Sequence, residues 1–345
     1  MNNIFKKISI VVMFFSFFEG VRAGNIQGEG ISTNSLILKE MELDPTIHFV
    51  PSPAFPPHDI AYNPNKTEYL VVWSETVDHE YLFADIYGAF VDEETGQISK
   101  SFPIVSLPKS QVEPSVSFDG NNYLVVWKDV KDIGISEIHG TLMDQDGNIL
   151  IQDIEIRTRT QYRKNFIHPA VAFNGENYLV IWSGEYTVPL LSSSVRRIIA
   201  GRLVDRNGQV IGNEDIFISP FDPFFNYLCN VTSDGNNFLV SWVARHTLKI
   251  RLVYGNGLPG PDIIHLSSTL PDSGRIPTLV YGESGNQKKY LVVWTDTQGI
   301  PGRHDVYAAL VNPDDIINFE IYPVAIGTNL QEFPSCTFSP TEGHF

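Results

Sequence analysis

The chain has 345 residues, a formal net charge of −16 at pH 7, and 43% apolar and 12% aromatic residues. That charge excludes nucleic acid and anionic membrane as general partners, and the aromatic content excludes a disordered chain. Only Cys229 and Cys336 are present, so no disulfide framework organises the fold.

The first residues read as an export signal rather than as structure. Lys6 and Lys7 supply a positive region, residues 8–18 an apolar stretch, and Val21, Arg22 and Ala23 a cleavage site before Gly24. The apolar stretch is too short to span a bilayer comfortably. The expected organisation is a signal peptide over 1–23, a flexible segment over 24–33 and one folded domain over 34–345. The mature protein is expected to be secreted or periplasmic, soluble and monomeric.

From there a single pattern repeats. The runs YLVVW, YLVVW, YLVIW, FLVSW and YLVVW end at Trp73, Trp127, Trp182, Trp242 and Trp294, at intervals of 54, 55, 60 and 52 residues. A period of this size built from short strands marks a radial or solenoid repeat. The second unit gives the grammar. An inner strand starts at Pro114, a turn follows at Asp119-Gly120, and the apolar run over 123–127 is the second strand. A third strand covers 138–143, a turn falls at Gly147, and a fourth strand begins at Ile149. Asp-Gly and Asn-Gly favour tight hairpins because both residues tolerate positive φ. Four antiparallel strands per unit describe a propeller blade.

The second strand is apolar on both sides, so it needs cover above and below. Neighbouring blades supply that cover, which makes the five tryptophans core residues. Inner strands start near Asp59, Pro114, Pro169, Cys229, Pro277 and Pro334, which predicts six blades. The last would be incomplete and shared by both termini, with strands over 35–43 and 47–50 and the chain ending at Phe345. Cys229 and Cys336 fall in inner strands two repeats apart, too far for a bond.

The pattern P-x-V-x-F-[DN]-G-x-N-Y-L-V-V-W, followed by I-x-G-x-L-[VM]-D-x-x-G, resembles the repeats of secreted bacterial β-propellers, similar in style to TolB-like propellers. The resemblance covers about residues 54–345 and implies the fold. It leaves function open, because propellers host binding modules and several enzyme classes.

Function is expected on the loops of one face. Arg157, Arg159, Tyr162, Arg163 and Lys164 form a basic island in an acidic chain, with Arg245 on the same side. Phe221, Phe224, Phe225 and Tyr227 form an aromatic loop beside it. Cations with aromatic faces suit an acidic glycan or an acidic protein segment. The first expectation is therefore a non-enzymatic exported binder needing no metal and no cofactor. The alternatives are a truncated inactive relative, or a propeller glycosidase or lyase with carboxylates at the channel mouth. For the last, Glu113, His168 and Glu332 are the candidates. The stretch from Asp144 to Asn148 reads as a turn rather than a calcium loop, because it lacks the distal Glu.

Overall fold

The computed structural model describes residues 58–338, except 77–82, 100, 161–162, 189–193, 222–225, 272–275, 285–286, 301, 328–330 and 332–333. Each repeat forms one four-stranded antiparallel sheet with its strands in chain order. Blade 1 holds β1 (His58–Asn63), β2 (Glu68–Thr76), β3 (Ala84–Asp92) and β4 (Phe102–Val105). Blade 2 holds β5 (Ser110–Phe118), β6 (Asn122–Asp132), β7 (Ile135–Asp144) and β8 (Ile149–Arg157). Blade 3 holds β9 (Arg163–Phe173), β10 (Asn177–Val188), β11 (Ser194–Asp205) and β12 (Val210–Phe217). Blade 4 holds β13 (Asn226–Ser233), β14 (Phe238–Ala244), β15 (Thr247–Val253) and β16 (Pro259–Ser267). Blade 5 holds β17 (Thr278–Ser284), β18 (Gln287–Asp296), β19 (Asp305–Asn312) and β20 (Asp315–Ala325). The fold is an all-β propeller.

Alternation along the second strand explains the stacking. Tyr123, Val125 and Trp127 pack with Leu70, Val72 and Ile86 of blade 1. Leu124 and Val126, pointing the other way, pack with Tyr178, Val180 and Trp182 of blade 3. Trp242 and Trp294 repeat the arrangement against blades 3 and 4. All five indoles are buried, each contributing on the order of 2–3 kcal/mol relative to exposure. The hairpins form as their sequence dictates. Asp119 Oδ1 accepts from the backbone N–H groups of Asn121 and Asn122 at 2.8 and 2.6 Å, and Gly120 takes φ 92°.

Neighbouring inner strands are also linked by side chains. Asp59 Oδ2 accepts from Ser115 Oγ (2.8 Å) and Val116 N (2.9 Å), Ser115 Oγ accepts from Val171 N (3.2 Å), and Asn230 Nδ2 donates to Pro277 O (3.2 Å). Both cysteines are free. No helix among the described residues is long and apolar enough to cross a membrane.

The expectation of six blades is corrected: the described residues form five sheets. A blade is organised by its apolar second strand, and the sequence holds no sixth aromatic-LVx-Trp run. Residues 334–338 form no strand. They lie along β17, with Thr278 Oγ1 donating to Pro334 O at 3.4 Å. The two end faces keep separate apolar clusters, Val71, Trp73, Ala89 and Val91 on blade 1 and Val293, Val306 and Ala308 on blade 5. The expected signal peptide, the strands over 35–43 and 47–50, and Phe345 lie outside the described residues.

Candidate functional site

The loops from second to third strands and from fourth to first strands share one end of the propeller, here called the upper face. Three blades place two carboxylates directly opposite each other there: Glu75 and Asp85, Asp129 and Glu137, and Asp296 and Asp305. Like charges so placed repel, and each pair needs compensation. The local sequence repeats as well. The first acid follows the blade tryptophan by two positions, and the second opens a [DE]-[IV]-[YH] triplet. In blades 1 and 5 the triplet ends in Tyr87 and Tyr307, stacked on Trp73 and Trp294 at 6.5 and 6.2 Å. Blade 2 breaks the rule. His139 takes the tyrosine position, 6.2 Å from Trp127.

That histidine sits among three carboxylates. His139 Nδ1 lies 2.6 Å from Asp153 Oδ1, and Nε2 lies 3.3 Å from Glu137 Oε2 and 3.7 Å from Asp129 Oδ2. Lys131 Nζ is bonded to the Asp129 carboxylate and lies 3.5 Å from Glu137. Arg159 donates its backbone N–H to Glu137 Oε1 at 3.1 Å. Burial pushes the Glu137 carboxyl upward, but the Arg159 N–H, His139 and Lys131 together hold it below the usual range. Lys131 is raised, because Asp129 and Glu137 outweigh the burial that would lower it. Among the described residues, the buried Asp129 Oδ1 and Trp127 Nε1 have no hydrogen-bond partner. His139 is buried, whereas the Asp153 side chain is 39% exposed, so the cluster opens to solvent on the Asp153 side.

Lys128, next in sequence to Trp127, belongs to a second cluster. Lys128 Nζ donates to Glu113 Oε1 at 2.9 Å, and Glu113 Oε2 accepts from His168 N at 2.8 Å with His168 Nδ1 at 3.1 Å. Burial would raise the Glu113 carboxyl, but His168 and Lys128 hold it down at about 2. Glu113, His168 and Leu228 occupy equivalent bulges, at φ 58°, 55° and 53°. The following Pro114, Pro169 and Cys229 are unpaired, and the regular ladder resumes at Ser115, Ala170 and Asn230; proline loses nothing at such a bulge because it has no N–H. His58, at the proline position of blade 1, is pushed down to about 4 by burial.

The expected arginine and aromatic residues divide differently. Asp215 lies within 2.9 Å of Arg157 Nε, 3.1 Å of Arg202 Nε and 3.3 Å of Arg163 Nη1, and accepts from Tyr186 Oη at 3.1 Å. Phe221 packs on Phe217 at 4.8 Å. Arg157, Arg163 and Phe221 therefore meet, but around a buried carboxylate of the chain itself. Arg159 turns away toward Glu137, and Lys164 is exposed. Tyr227 Oη donates to Arg245 O at 2.9 Å. Tyr162, Phe224, Phe225 and Glu332 lie outside the described residues. Sequence reading missed Asp129, Glu137 and His139. The available signal was His139 standing where two other repeats carry tyrosine.

No family model matches the chain, and no curated protein is detectably similar. Among solved structures, a protein of unknown function from Dyadobacter fermentans superposes with a TM-score of 0.54 at 10% identity, covering 79% of this chain and 84% of that one. The NanB sialidase of Streptococcus pneumoniae gives 0.53 at 8% identity, covering 79% of this chain and 61% of that one. The α-L-arabinanase of Penicillium chrysogenum, complexed with arabinobiose, gives 0.52 at 10% identity, covering 75% and 77%. At these identities the likeness is one of fold.

Proposed function

We propose that the chain is a glycosidase-type propeller that cleaves a glycan at the upper face of blade 2. The observation carrying this reading is the convergence of Asp129 and Glu137 on the same His139 Nε2 and the same Lys131 Nζ. Glycosidic cleavage calls for two carboxyl groups flanking the bond and a means of moving a proton. Glu137, held ionised, suits stabilising positive charge that develops on a sugar ring. His139, oriented through Nδ1 by Asp153, carries a proton between Nε2 and the facing carboxylates, the arrangement of a base steered by a third group. Fold likeness to a sialidase and an arabinanase agrees with this class without specifying the sugar.

A non-enzymatic binder using the arginines has less behind it, because Asp215 already engages Arg157, Arg163 and Arg202. Export belongs to the proposal, with residues 1–23 directing a bacterial-type propeller to meet glycans outside the cytoplasm.

The test is release of reducing sugar from a panel of arabinans, xylans, pectins and sialylated oligosaccharides. At least one substrate is expected to be cut by the protein, and Glu137→Gln is expected to reduce its turnover at least about 100-fold, roughly 2.7 kcal/mol of barrier. No cleavage across the panel, or full turnover in Glu137→Gln, would overturn the reading.

A further inference from the structure

On the lower face, the turn between third and fourth strands follows one template in three blades. Its first residue donates N–H to the residue four ahead, and a glycine three positions on donates back. The pairs are Asp144 with Asn148 and Gly147, Asp205 with Gln209 and Gly208, and Tyr254 with Leu258 and Gly257. The second residue of that turn is thereby aligned as Gln145, Arg206 and Gly255.

In two blades this second residue fills the junction with the preceding blade. Gln145 Oε1 accepts from Asn63 Nδ2 and Asn65 Nδ2, both at 3.3 Å. Arg206 donates to Asp119 O at 3.0 Å and Gly175 O at 2.8 Å, with its guanidinium 4.5 Å from the centre of the Phe173 ring. In blade 4 the position is glycine. The turn sits so close that a Cβ on Gly255 would lie 2.5 Å from Asn236 O. What remains between blades 3 and 4 is a hollow of about 530 Å³, within the range of about 300–1,000 Å³ usual for small-ligand sites.

The first turn position changes too. Asp144 and Asp205 cap their own turns through Oδ1. Tyr254 replaces that cap, Asn256 Oδ1 takes over by accepting from Leu258 N at 3.0 Å, and the phenol ring stands exposed at the rim. Glu176 and Asn236 line the hollow and are exposed. Among the described residues, no lysine, arginine or histidine lines it. With a lone carboxylate and a net charge of −16, the hollow disfavours anions.

We propose that this hollow binds a ring of a neutral saccharide. Tyr254 offers an apolar face with a polar tip for the C–H side of a sugar. Glu176 and the carbonyls of Gly235 and Gly255 accept from hydroxyls, and the amides of Asn236 and Asn256 donate to them. The site lies on the face opposite the blade 2 cluster and does not depend on cleavage there.

The test is an amide chemical-shift titration of the intact isotopically labelled protein with xylohexaose, maltohexaose and arabinohexaose, with tetragalacturonate as the acidic probe. At least one neutral probe is expected to shift the amides of Gly175, Gly235 and Gly255 saturably. Tyr254→Ala is expected to weaken that binding at least tenfold and Glu176→Gln at least threefold, with melting temperatures unchanged because both side chains are exposed. The proposal fails if these glycines respond to no neutral probe, respond only to the acidic one, or titrate alike in Tyr254→Ala and the unaltered protein. Shifts confined to Glu137 and His139 would uphold the blade 2 reading and sink this one.

Discussion

Blades 2 and 5 build the same upper corner and finish it differently. In blade 5, Asp296 accepts from Thr269 Oγ1 at 2.6 Å, Gln298 N at 2.8 Å, Trp294 Nε1 at 2.9 Å and Ser267 Oγ. Burial would raise this carboxyl, but those donors hold it below its ordinary range. Its cross-strand partner Asp305 is met by Arg303 and by Gly327 N. In blade 2 the equivalent Asp129 leaves one oxygen without a partner, and the tyrosine position holds a histidine among carboxylates. A saturated acid pair is a structural clamp. The same pair with an open lone pair and an imidazole is where the proposed proton chemistry would sit.

The difference can be broken from either side. The largest stability effect is expected from Asp296→Ala, which leaves buried hydroxyl and indole donors unsatisfied. A loss of about 3 kcal/mol should appear in urea unfolding. Next comes acid unfolding. Glu113 has its folded pKa at about 2 against 4.5 ordinarily. Its contribution is present above about 4.5 and lost as pH falls toward 2, on the order of 3 kcal/mol, and Glu113→Gln should flatten that window. His58, lowered to about 4 from 6.5 by burial, destabilises on protonation and should add a separate loss between those values. Asp59 has the opposite sign. Burial raises its folded pKa, so it favours folding below that value and loses the advantage as pH rises through it. Asp129→Asn should cost about 1–2 kcal/mol, because one of its oxygens is already unpartnered but the change also removes the charge that Lys131 pairs with. Smallest of all, Arg159→Glu should change the unfolding free energy by under about 1 kcal/mol, since that side chain is 53% exposed.

The fold was legible because its determinants are local and repeated. The YLVVW runs, the Asp-Gly turns and the bulge prolines each specify a strand or a hairpin without reference to distant residues. Blade number was less legible. The inner-strand proline recurs at Pro334, yet residues 334–338 form no strand. Site residues were harder still, because their partners are set by stacking. Arg157 looks like a free surface cation until Asp215, in a strand 58 residues on, lies against it. Blade 2 shows Glu137-Ile138-His139 where blades 1 and 5 show Asp85-Ile86-Tyr87 and Asp305-Val306-Tyr307, and Gly255 stands where Gln145 and Arg206 fill their junctions.

The reciprocal exchange at this position tests the account most directly, with glycan turnover as the readout. His139→Tyr installs the residue that blades 1 and 5 already carry, so it should fold normally yet lose at least about 100-fold in turnover, while Tyr307→His in blade 5 should leave turnover unchanged. Full activity in a folded His139→Tyr protein would contradict the placement of the chemistry in blade 2.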